Sequence, residues 1–126
     1  MRALVVDDSS AMRKILGRLL RALGFEVLEA EHGQAALETL EALEPAARPR
    51  VALVDWHMPV MDGLEFVGQV RARPPLAGVR LMMVTTEMEQ GQVARALAAG
   101  AEEYVVKPFT PELIVDKLGR LGVLHR

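Results

Sequence analysis

Short apolar runs alternate with stretches of helical period five times along the chain, and this alternation limits the fold more than any other feature. The runs are Ala3 to Val6, Phe25 to Ala30, Val51 to Val54, Val79 to Val84 and Glu103 to Val106. The first, third and fourth are almost wholly apolar, as expected of parallel strands covered on both faces. The second mixes Phe25, Val27 and Leu28 with acids, which suits a strand at an edge. Between the runs, apolar residues recur at helical spacing. Met12, Ile15, Leu16, Leu19, Leu20 and Leu23 form one stripe, and Leu37, Leu40 and Leu43 a second. Leu64, Val67 and Val70 form a third, Val93 and Leu97 with several alanines a weaker fourth, and Leu113, Ile114, Leu118 and Leu121 a fifth. Ser9 or Ser10 is placed to cap the first helix, and Gly24 to end it in a left-handed conformation. Thr110 and Pro111 supply a cap and a first-turn proline for the last helix.

The pattern is (βα)5. It predicts an α/β fold, a doubly wound five-stranded parallel sheet with right-handed crossovers and helices on both faces. With 126 residues, there is room for one domain. The stretch Glu44 to Arg50, EPAARPR, is expected to be the most mobile loop. The absence of cysteine excludes disulfides and thiolate metal sites. Fifteen basic against 17 acidic residues give a net charge of -2, with no electrostatic footprint for nucleic acid or an anionic membrane. No apolar run reaches the roughly 18 residues of a membrane span. The N-terminal MRALVVDDSS turns acidic too early for a secretory signal, so a cytoplasmic location is expected.

In an open α/β sheet the functional site lies at the carboxyl ends of the strands. Asp7 and Asp8 follow the first run, Asp55 the third, Thr85, Thr86 and Glu87 the fourth, and Lys107 and Pro108 the fifth. Neighbouring strands would gather these groups on one rim. Two carboxylates about 4 Å apart repel by about 4 kcal/mol at an effective dielectric near 20. Lys107 offsets part of this, and a hard divalent cation such as Mg²⁺ suits the remaining oxygens. An acidic rim that is merely solvated is the ordinary alternative for any one acid; three acids, a hydroxyl and a lysine at four strand ends favour a site. Neither GxxxxGK[ST] nor GxGxxG occurs, which argues against a bound nucleotide, and HExxH is absent. A carboxylate can act as a nucleophile and form an aspartyl phosphate, with a lysine, a metal and a hydroxyl stabilising the phosphoryl oxygens. Asp55 is the candidate acceptor.

The segments VVDDSSAMRKIL, VDWHMPVMDGLEF, MVTTE and YVVKPFT occur in this order, and from about Leu4 to Leu121 the chain resembles the receiver domain of two-component response regulators, notably the single-domain chemotaxis type. The resemblance implies strand order 2-1-3-4-5 and a single receiver domain over residues 1–126 without an output domain. It implies phosphorylation of Asp55 by a histidine kinase or a histidine phosphotransfer protein. Mg²⁺ would be held by Asp8, Asp55 and the backbone carbonyl of His57, with Asp7 acting through a water. Thr85 and Lys107 would contact the phosphoryl oxygens, Tyr104 would be the aromatic switch residue, and the Lys107–Pro108 peptide would be cis. His57 and Glu87 flank the path of attacking water and would tune phosphoryl lifetime. Taken without the family, His57 reads as a solvent-facing loop residue and Tyr104 as a half-buried packing residue.

The implied activity is a switch, possessing only self-catalysed phosphotransfer and autodephosphorylation. Its output would pass to a downstream protein, such as a flagellar switch protein, through the face of the fourth helix, fifth strand and fifth helix. A relay role outside chemotaxis is an alternative. A second is an aspartyl-phosphate phosphatase of the haloacid dehalogenase type, although such enzymes carry DxD after the first strand. A third is a constitutive binding module that no longer accepts phosphate.

Overall fold

A computed structural model describes residues 1–86 and 90–124. Its five strands are β1 (Arg2–Val6), β2 (Glu26–Ala30), β3 (Val51–Val54), β4 (Arg80–Thr85) and β5 (Glu103–Val106). All pair in parallel, in the order β2-β1-β3-β4-β5, so β2 is indeed an edge. The helices are α1 (Ser10–Ala22), α2 (Gly33–Ala42), α3 (Gly63–Arg71), α4 (Gln90–Ala99) and α5 (Pro111–Arg120).

The period-two alternation of the strands sorts the core into two layers. Leu4, Val6, Ala52, Val54, Leu81 and Met83 pack with Leu37 and Leu40 of α2, Phe66, Val67 and Val70 of α3, and Ala96 of α4. Ala3, Val5, Val51, Leu53, Met82 and Val84 pack with Leu16 and Leu20 of α1 and Ile114 and Leu118 of α5. The central strands are therefore apolar on both faces, which explains their near-continuous hydrophobic runs.

Among the described residues, four helix starts carry side-chain caps. Ser9 Oγ accepts from the Met12 amide at 3.2 Å, Asp62 Oδ1 from Glu65 at 2.9 Å and Thr110 Oγ1 from Leu113 at 3.3 Å. The fourth is His32, whose Nδ1 accepts from the Ala35 amide at 3.0 Å. Gly24 ends α1 with φ +97°, a conformation open to glycine at little cost.

The helical stripes differ from expectation in detail. Ile15 is 51% exposed, Leu97 48% and Leu113 36%, although each was read as facing inward. A helix lying on a sheet buries a narrower face than the apolar pattern drew. In α3, Phe66 is fully buried while Leu64 is only half-buried. The connection 44–50, expected to be the most mobile, contains the 3₁₀ turn Pro45–Ala47 and a buried Pro49. Arg2 donates to Ala47 O at 3.0 Å, and Arg48 donates to Leu40 O at 3.3 Å and Pro75 O at 3.2 Å. These arginine–carbonyl bonds tie the loop to the body, and a composition rich in proline and alanine does not reveal them.

Candidate functional site

Sheet register assembles the site. Val6 pairs with Val54, so the residues that follow them, Asp7 and Asp55, emerge side by side. The Asp55 amide continues the ladder by donating to Val6 O at 2.9 Å, and the Asp7 amide donates to Ala30 O at 3.1 Å. On the other side Thr85 pairs with Val106, and the Lys107 amide donates to Thr85 O at 2.8 Å. Asp7, Asp55, Thr85 and Lys107, read from the sequence at four strand ends, thus share one rim.

Asp7 is 1% exposed. Its Oδ2 accepts from Lys107 Nζ at 2.8 Å and its Oδ1 from the Ser9 amide at 2.9 Å. Asp8 is exposed. Asp55 Oδ1 accepts from the Trp56 amide at 2.9 Å, and its Oδ2 lies 3.6 Å from Lys107 Nζ. Lys107 therefore leans toward Asp7 while remaining within ion-pair reach of Asp55. Asp7, Asp8 and Asp55 each offer a carboxylate oxygen, all within 4.8 Å of one another. Burial raises the Asp55 carboxyl above the ordinary carboxylate range. Lys107 opposes that shift, the Asp7 charge adds to it, and hydrogen bonds from the Thr85 side chain and the Trp56 amide oppose it. Asp55 is a carboxylate held in place by donors yet incompletely compensated in charge.

The loop after β3 is built to bring this acid close to α3. A Cβ on Gly63 would fall 2.0 Å from the Asp55 carbonyl oxygen, so only glycine permits the approach. The Gly63 amide donates to Trp56 O at 2.8 Å. Val60 turns the chain with φ +67°, and the Met61 amide donates back to Pro59 O at 2.7 Å, which makes a γ-turn.

Other residues singled out from the sequence fall nearby. The Lys107–Pro108 peptide is cis. Tyr104 pairs with Met83, two residues before the Thr85–Val106 pair, so Tyr104 and Thr85 share a face of the sheet. Tyr104 is half-buried against the layer that contains α3 and α4. His57 is exposed in the loop. Glu87 lies outside the described residues. Trp56 is 4% exposed in the core.

Two arginines were missed. Arg13 Nη1 donates to the Asp7 carbonyl at 2.7 Å, and Arg95 of α4 places its guanidinium carbon 5.8 Å from the centre of the Trp56 ring. Arg13 stands within the DDSSAMR segment, so its spacing from Asp7 was a usable signal. Arg95 is 39 positions from Trp56, and no local pattern links them.

The donor set consists of three hard carboxylates beside one ammonium, which fits Mg²⁺ and does not fit a soft metal. Residues 3–119 match the family model for the response regulator receiver domain. The chain belongs to this family.

The receiver domain is 48% identical over 119 residues to chemotaxis protein CheY1 of Helicobacter pylori, covering 94% of each chain. It is 47% identical over 119 residues to the chemotaxis protein CheY homolog of Campylobacter jejuni, covering 94% of this chain and 89% of that one. The structure of chemotaxis protein CheY4 of Vibrio cholerae matches it with a TM-score of 0.85 and 36% identity, over 95% of this chain and 97% of that one. The likeness is thus to two-component signalling proteins, with chemotaxis regulators among them. The phosphatase reading is not favoured, since Asp55 follows β3 and no DxD follows β1. No described helix is long and apolar enough to cross a membrane.

Proposed function

We propose that this receiver domain is a phosphorylation switch in which Asp55 accepts a phosphoryl group from a phosphohistidine. The donor would be a histidine kinase or a histidine phosphotransfer protein. The observation that carries the reading is one lysine set between two carboxylates, with Lys107 Nζ at 2.8 Å from Asp7 and 3.6 Å from Asp55. An ion pair with Asp7 alone would be a local structural feature; a lysine also within reach of Asp55 supports contact with oxygens added to that residue.

Asp55 attacks phosphorus with a carboxylate oxygen, a P–O bond forms, and the P–N bond to the donor imidazole breaks. The imidazole leaves with the electron pair and takes a proton from solvent. Asp7 anchors Lys107, whose ammonium meets the charge of the transferred group. The Thr85 hydroxyl, already bonded to Asp55, can turn to donate to a phosphoryl oxygen. Asp8, Asp55 and the His57 carbonyl, with Asp7 acting through a water, would hold Mg²⁺, which would supply charge compensation for the phosphoryl oxygens. His57 and Glu87 would govern the access of water and hence the lifetime of the acyl phosphate.

Tyr104 shares its sheet face with Thr85, which supports a role in passing the state of Asp55 to the face formed by α4, β5 and α5. A protein target there completes the switch, in the cytoplasm. Similarity to the chemotaxis relatives over nearly their whole length supports a role in chemotaxis. Incubation with acetyl phosphate and Mg²⁺, followed by intact mass, should show the gain of one phosphoryl group, abolished in Asp55→Asn. Full labelling of that variant at an unchanged rate would refute the assignment.

A further inference from the structure

From the acceptor, two routes lead to α4. The first runs along β4, because only four residues separate Thr85 from the start of the helix. The second runs through the loop after β3. The Trp56 amide donates to Asp55 Oδ1 at 2.9 Å, and the Trp56 ring lies under the Arg95 guanidinium at 5.8 Å. Gln92, one turn earlier on α4, accepts from Arg95 Nη1 at 3.2 Å and orients the guanidinium. The α4 helix is otherwise lightly held. Ala96 is its fully buried side chain among the described residues, Val93 and Ala99 are half-buried, and Leu97 is 48% exposed. A helix with so little buried apolar surface is free to shift at small cost.

We infer that Arg95 is a positioning residue that clasps α4 to the acceptor loop through Trp56 and holds the unphosphorylated arrangement. The inference rests on the phosphorylation reading above. When Thr85 turns toward a phosphoryl oxygen, the end of β4 moves and α4 follows it. Trp56 is fixed in the core beside Asp55, so α4 must slide past the indole. A cation–π contact opposes that slide, and its strength at an exposed site corresponds to about a two- to fivefold change in an equilibrium. Without the clasp, the shifted arrangement is more populated and an acceptor-site ligand that selects it binds more tightly.

Beryllofluoride with Mg²⁺, a stand-in for the phosphoryl group on a carboxylate, is the probe. Its affinity should be measured by NMR titration for wild type, Arg95→Ala, Arg95→Lys and Arg18→Ala. Arg18 is exposed on α1 and controls for the loss of one positive charge. Arg95→Ala is expected to bind about two- to fivefold more tightly, with Arg95→Lys in between and Arg18→Ala like wild type. Simple loss of a cation would weaken binding of an anion, so the direction separates the clasp from bulk electrostatics. Trp56 is the chain's one tryptophan, and in Arg95→Ala its emission should move to longer wavelength with greater acrylamide quenching. Unchanged or weaker binding by Arg95→Ala overturns the inference, as does an equal gain in Arg18→Ala. If wild type itself fails to bind the probe, the phosphorylation reading fails instead, and the clasp falls with it.

Discussion

Replacing Asp55 with asparagine should stabilise the metal-free protein. Its carboxylate has an oxygen within 4.8 Å of oxygens on both Asp7 and Asp8, a separation at which each pair repels by about 3.5 kcal/mol at an effective dielectric near 20. Lys107 at 3.6 Å returns about 4.6 kcal/mol of attraction on the same scale. Asp8 is exposed, so solvent screens its share. Burial of the Asp55 charge adds to the cost. The balance favours the neutral side chain by about 1–2 kcal/mol, and asparagine keeps an oxygen to accept from the Trp56 amide. The pH dependence has a definite sign. Asp55 is raised in the folded state above the ordinary 3.8, so the folded protein holds that proton more tightly than the unfolded chain does. Stability from this group is fully present below the unfolded value and is lost as pH rises through the folded one. The advantage of Asp55→Asn should therefore be small near pH 4 and full at neutral pH. Urea unfolding in EDTA should show the variant midpoint higher by about 0.5–1 M at pH 7. Excess Mg²⁺ should narrow the gap, because wild type gains more from binding. A variant midpoint at or below that of wild type in EDTA would show that Lys107 already neutralises the cluster, and the electrostatic reasoning would be wrong.

Thr85→Ala should still be labelled at Asp55 by acetyl phosphate but lose most of the beryllofluoride-dependent NMR shifts at Tyr104 and across α4; a full wild-type pattern would remove this hydroxyl from the coupling. Val60→Gly should raise the urea midpoint or leave it unchanged, because relief of a β-branched residue at φ +67° offsets the entropy that glycine adds to the unfolded chain; clear destabilisation would mean that the turn carries little strain. Gly63→Ala should be strongly destabilising and lower the labelling rate at Asp55, since its Cβ meets the Asp55 carbonyl; wild-type stability and labelling would show that the loop can yield. Phe66→Ala should cost about 3–5 kcal/mol in urea unfolding, the usual range for a fully buried phenylalanine; a loss below about 1 kcal/mol would contradict its place at the centre of the α3 layer.

The sequence exposed the fold because two periods, 2.0 and 3.6, alternate cleanly, and parallel strands buried on both faces leave unbroken apolar runs. Asp7, Asp8, Asp55, Thr85 and Lys107 were legible for a related reason, since each stands within two residues of the end of such a run. Features that depend on pairing between distant segments were not legible. Arg95 meets Trp56 only after α4 has packed beside α3, and Arg48 reaches Leu40 and Pro75 only after the loop has folded back. The exposed Ile15, Leu97 and Leu113 had the right residue type for the core, but which part of an apolar stripe meets the sheet is decided by helix rotation and tilt, which local spacing does not encode.

Two exceptional backbone features lie in the nine residues from Asp55 to Gly63. Val60 adopts a conformation that β-branched residues avoid, and Gly63 stands where any side chain would strike the Asp55 carbonyl. A connection from β3 to α3 would need neither if its task were only to join them. Both bring the start of α3 against the backbone of Asp55, while the Trp56 amide fixes one carboxylate oxygen and Lys107 stands near the other. The acid is thereby immobilised before any ligand arrives, which lowers the reorganisation required for in-line attack. On the opposite side, α4 rests on alanine and the Arg95–Trp56 contact. A rigidly held carboxylate facing a lightly held helix is the mechanical arrangement that the proposed switch requires, because a small change at Asp55 would meet resistance in the loop and be absorbed by displacement of α4.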